Sequence, residues 1–167
     1  MKSVFAAMIM VASSIGWATS PSENLIKSCL QARAVAPSVT IQNINVSEVF
    51  QEDDYAEGFN AGYLFKYKGV DIGYAERKSE NALIYSGKIY QLSSSIPIGN
   101  NGEVKPTSFN PTLAQWSVIK EGKHHYFCVG FNFDGLGQSG SFQNVHGGYL
   151  LNLKNRDLYF AVRDIRQ

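Results

Sequence analysis

Apolar and polar residues change their spacing once along this chain, near Pro37. Before it, in "SPSENLIKSCLQARAV", Leu25, Ile26, Cys29 and Leu30 recur on one helical face. Ser20 can cap that helix, Pro21 suits its first position, and Glu23 completes a capping box. Pro37 disfavours helical geometry in the residue before it, so the helix is predicted to end near Ala36. After Pro37 the alternation is that of strands. "GFNAGYLFKYK" sets Phe59, Ala61, Tyr63, Phe65 and Tyr67 on one face, and "KGV" turns it into "DIGYAER". Residues 59–77 therefore read as a β-hairpin.

Four further segments carry strand character: "ALIYSGKIYQL", with an irregularity at Gly87, then "HHYFCVGFNF", "FQNVHGGYLLNL" and "LYFAVRDI". Strands at this density, joined by Gly and Asn turns without interleaved helices, predict an α+β, mainly β fold. The expected form is an antiparallel sheet or sandwich of about seven or eight strands with one N-terminal helix packed on it. Residues 93–113 form a long irregular segment holding three prolines and an Asn101–Gly102 turn signal, read as a surface excursion.

At 167 residues, with 13% aromatic and 17% charged positions, the chain suits one ordered domain. Its first residues alter that picture. Lys2, the apolar run Val4–Val11 and the small residues of "GWA" have the order of a secretory signal, cut after Ala18. The apolar run is too short to span ~30 Å of hydrocarbon. The expected organisation is a signal peptide over 1–18 and a single globular domain over 19–167, periplasmic or secreted and bacterial. Removing Lys2 from the 15 basic residues leaves 14 against 14 acidic ones. A neutral mature chain argues against nucleic acid or anionic membrane as the main partner. In an oxidising compartment, Cys29 and Cys128 read as one disulfide closing a loop of roughly 100 residues.

The candidate chemistry is sparse. "FDGLGQSGSF" spaces Gly135, Gly137 and Gly140 as G-x-G-x-x-G. A dinucleotide site needs a helix after the glycines, and the strand-like "SFQNVHGGYLL" follows instead. The glycines are read as a hairpin connection, and no cofactor is expected. Centring that hairpin on Gly137 places Phe131 opposite Gln143, Val129 opposite Val145 and Cys128 opposite His146. Cys128 and His146 are then the one nucleophile–base pair available, provided that the thiol is free. The same strand divides into an apolar odd face (Phe127, Val129, Phe131) and an even face holding Tyr126 and Cys128, which a helix could cover. His124 and His125 point to opposite faces, so no metal site is expected. "GQSGS" lacks the spacing of a serine nucleophile elbow.

"EVFQEDDYAEGF" carries Glu48, Glu52, Asp53, Asp54 and Glu57 with no basic residue among them. This segment is the candidate surface for a protein partner. The function expected is non-catalytic protein binding, as an inhibitor or an immunity protein against a secreted toxin or cell-wall enzyme. The alternatives are a small hydrolase using Cys128 and His146, or a structural component of an envelope or secretion assembly.

Overall fold

The computed structural model describes residues 20–56, 58–78, 80–99, 104–106, 108–132 and 145–164. Residues 1–18, expected to be a signal peptide, and the glycine loop 133–142 lie outside these residues. The fold is α+β and mainly β. A helix α1 (Glu23–Gln31) is followed by β1 (Val39–Asn43), β2 (Phe50–Ala56), β3 (Phe59–Tyr67), β4 (Val70–Arg77), β5 (Glu80–Tyr85) and β6 (Lys88–Gln91). A short 3-10 turn leads to β7 (Ile96–Pro97), then β8 (Gln115–Glu121), β9 (His124–Asn132), β10 (Val145–Asn152) and β11 (Leu158–Asp164). The strands form a six-stranded sheet, β1-β8-β9-β10-β11-β7, and a five-stranded sheet, β2-β3-β4-β5-β6. Among the described residues only the β7–β11 pairing is parallel. The strand count exceeds the seven or eight expected, in part because "ALIYSGKIYQL" folds into two strands. Its Ser86 and Gly87 take positive φ, 55° and 69°, and close a tight hairpin between β5 and β6. Lys68 and Gly69 do the same between β3 and β4, as the 59–77 pattern predicted.

Alternation explains how the sheets stack. Phe127, Val129 and Phe131 of β9 join Trp116, Tyr149, Leu151 and Phe160 on the inner face of the six-stranded sheet. Phe65, Ile72, Tyr74 and Leu83 meet them from the five-stranded sheet. Phe109, from the long irregular segment, stacks on Phe131 at 4.8 Å and closes one end of this core. The even face of β9 does receive the helix: Leu25, Cys29 and Leu30 pack on Tyr126, Cys128, Leu150 and Tyr159. The molecule is thus three layers, helix on sheet on sheet. Cys29 and Cys128 are bonded within the helix–sheet layer, with Cα atoms 5.7 Å apart.

The helix is shorter than its sequence suggests. Ser22, not Ser20, is the cap, its hydroxyl accepting from the Leu25 N–H at 3.2 Å. Glu23 pairs with Lys27 one turn on instead of closing a capping box. The C-terminus comes at Ala32, which adopts the left-handed conformation, well before Ala36. Buried Ser28 directs that exit: its carbonyl accepts from the Arg33 N–H and its hydroxyl from the Val35 N–H. The β9–β10 register also differs from that expected. Cys128 lies opposite Leu150, Val129 opposite Tyr149 and His146 opposite Asn132. The shift is even, so every side chain keeps its predicted face.

Candidate functional site

The Cys128–His146 pair does not form. The sulfur of Cys128 is bonded to Cys29, and no free cysteine is present. His146 sits in register with Asn132, and its Nδ1 lies 2.8 Å from the Leu30 carbonyl oxygen at the helix end. It acts there as a tie between sheet and helix. His124 and His125 face Glu121 and Lys120 respectively across the β8–β9 hairpin, on opposite faces. Among the described residues, no group of three His, Cys, Asp or Glu side chains converges as metal ligands. Nor is any helix long and apolar enough to cross a membrane.

The acidic segment has a definite place. Glu48 is exposed just before β2, and Glu52, Asp53 and Asp54 are exposed on it. Glu57 lies outside the described residues. Among the described residues β2 is an edge strand, bonded to β3 on one side only. Its register sets Phe50 opposite Leu64, Gln51 opposite Tyr63, Glu52 opposite Gly62 and Asp53 opposite Ala61. Gln51 and Asp53 therefore share the face of Tyr63 and Phe65, toward the second sheet, while Phe50 and Glu52 lie on the outer face. A bulge between Asp53 and Ala56, with Asp54 at φ 51°, ends the regular pairing.

None of Glu48, Glu52, Asp53 or Asp54 forms an ion pair with another described residue. Members of the segment contribute, behind larger causes, to shifts at two tyrosines. Burial first, then the charge of Glu52, raises the Tyr55 hydroxyl above its ordinary range. Glu76 is the main cause of a like shift at Tyr63, to which Asp53 adds.

Beside this edge lies a feature the sequence did not reveal. A cleft of about 240 Å³ opens between the two sheets, lined by Val46, Val49, Tyr63, Phe65, Pro111, Thr112, Ala114 and Trp116. Trp116 is buried, its indole N–H donating to the Pro111 carbonyl at 3.4 Å, so the rear of the cleft is fixed. Around it, large apolar side chains remain in water: Val49 is 46% exposed, Phe50 59% and Leu113 72%. The apolar pair in "EVFQEDD" is the one local signal that could have pointed here, because exposed apolar residues among carboxylates seldom serve solubility. A larger groove of about 540 Å³, lined by residues including Phe59, Tyr90, Ile96 and Arg156, flanks β6 and β7. Its charges have partners, since Arg156 stacks on Tyr85 and Asp157 accepts from Asn155 and Tyr159.

The β2 edge with its cleft thus combines unpaired backbone, apolar surface and uncompensated carboxylates, the ingredients of a protein-docking surface. No protein-family model, curated protein or solved structure matches this chain.

Proposed function

We propose that the chain is an exported, non-catalytic protein-binding domain, acting as an inhibitor or an immunity protein toward a secreted toxin or cell-wall enzyme. The observation that carries the reading is the juxtaposition of Glu48, Glu52, Asp53 and Asp54 with the apolar cleft on an open sheet edge. Support for export comes from the order of charge and hydropathy in residues 1–18 and from a cysteine pair bonded as in oxidising compartments. Intact-mass analysis of exported protein should find Thr19 at the N-terminus, and a retained Met1 would remove the export half of the proposal. The binding half is tested by capture from cell-envelope extract with protein spanning 19–167. The expected outcome is a stoichiometric complex with one enzyme or toxin whose activity falls on binding. Failure to retain any partner would sink it.

A further inference from the structure

The protein-binding reading leaves open how a partner is held, and the β2 edge supplies a specific answer. We infer that Phe50–Asp53 receives an extended segment of the partner as an added β-strand, carrying two adjacent basic residues and two adjacent apolar ones. This inference rests on the protein-binding reading above.

Backbone and charge select the occupant together. β3 is the only strand beside β2 among the described residues, so alternate N–H and C=O groups of β2 point away from it and can bond another strand. A second copy of this chain is a poor occupant, because Phe50–Asp53 carries two carboxylates and no basic residue, so self-pairing brings together only like charge. A basic strand gains where the copy loses. Directly opposed residues in such a pair have Cβ atoms ~4.5–5.5 Å apart, so each β2 position dictates its partner. Glu52 on the outer face and Asp53 on the inner face each call for Lys or Arg. Phe50, 59% exposed on the outer face, calls for an apolar side chain. The residue opposite Gln51 lies on the face of Tyr63, beside the cleft, where Val49, Ala114 and Trp116 can take a second apolar side chain. The motif is then basic-basic-apolar-apolar for an antiparallel occupant, and the reverse for a parallel one. The bulge at Asp54 limits regular pairing to these four positions, Phe50–Asp53.

The experiment uses phage-displayed random dodecapeptides selected on the oxidised full domain. Enriched sequences should carry the basic-basic-apolar-apolar motif or its reverse. A synthetic peptide of the enriched sequence should bind at least tenfold more weakly to Glu52→Gln/Asp53→Asn and to Ala114→Phe, which fills the cleft. It should also slow amide exchange within residues 50–53. Melting curves establish that each variant is folded, and Val49→Thr, a milder change at the cleft's lip, replaces Ala114→Phe should that variant unfold. No enrichment, or binding indifferent to these changes and without protection of β2, overturns the inference. Envelope capture separates the two failures. A partner retained equally by the wild type and the variants leaves the protein-binding reading standing and removes β2 as its surface.

Discussion

Two glycines show how single residues set the spacing of the layers. Gly130 and Gly148 are paired across β9 and β10 beneath the helix. A Cβ at Gly130 would stand 2.9 Å from the Cys29 carbonyl oxygen, and one at Gly148 would stand 2.8 Å from Leu30 Cδ2. Their bare backbone lets Cys29 come close enough to bond Cys128. Gly130→Ala should therefore cost ~1–3 kcal/mol by overpacking, since the obstructing atom is backbone and cannot swing aside. Gly73→Ala should cost more, because its Cβ would fall 1.9 Å from the Tyr63 carbonyl oxygen in the neighbouring strand. Urea denaturation of the two variants checks both the magnitude and the order. At this scale the sequence was partly legible. The odd and even faces of residues 124–132 could be read from alternation, because each face is buried by a different layer. The glycine pair could not be read, since its meaning depends on a helix about 100 residues away in the chain.

Elements were legible where their causes were local. The Lys68–Gly69 turn follows from a short polar step between two alternating runs, whereas Ser86–Gly87 reads as an irregularity in one strand although the same chemistry applies. The helix ends differ from those expected because long-range contacts choose among several possible caps. Ser22 serves because its hydroxyl is also held by the Glu121 carboxylate of β8, which accepts from Ser38 at 2.8 Å as well. Those hydrogen bonds, Ser22 first and Ser38 next, hold the Glu121 carboxyl below the ordinary carboxylate range. Its folded pKa lies below its unfolded one, so its stabilisation is complete above the unfolded value and is lost as pH falls through the folded one. Wild-type protein should thus lose more stability than Glu121→Gln on acidification below about pH 5. Parallel acid-denaturation series measure the difference. Equal losses would mean that Glu121 does not anchor the helix start. The β9–β10 register escaped prediction for a related reason. Hairpin register is set by the connection, and the glycine spacing alone does not say how many of residues 133–144 belong to it.

For the whole molecule, the six-stranded sheet is covered on both faces, and this explains the unbroken apolar runs "YFCV" and "LYFAV" that alternation alone leaves ambiguous. The acidic half of the candidate site was visible as a local run, but its cleft draws on residues 46–49, 63–65 and 111–116, which only the fold assembles. The three-layer arrangement also determines how the protein should fail. The core between the sheets contains no described residue of α1, while that helix is held by its own smaller cluster and by one bond across 99 residues of sequence. Loop closure of that length is worth ~4–5 kcal/mol in the chain-entropy model. Alanine is the fitting replacement at both positions, because Cys29 and Cys128 are buried and a serine would bury an unpaired hydroxyl. Cys29→Ala/Cys128→Ala should lose ~3–5 kcal/mol of stability. Burial of Leu25 and Leu30, at ~1.5–3 kcal/mol each, is then left to hold the helix with the ties at Ser22 and His146. The helix should detach before the sandwich opens, as a local unfolding unit. Hydrogen exchange gives the decisive pattern: amides of residues 23–31 should speed up well beyond those of β4 and β5. A uniform acceleration across helix and strands would show one cooperative unit instead, and an unchanged denaturation midpoint would show that the bond adds nothing to the fold.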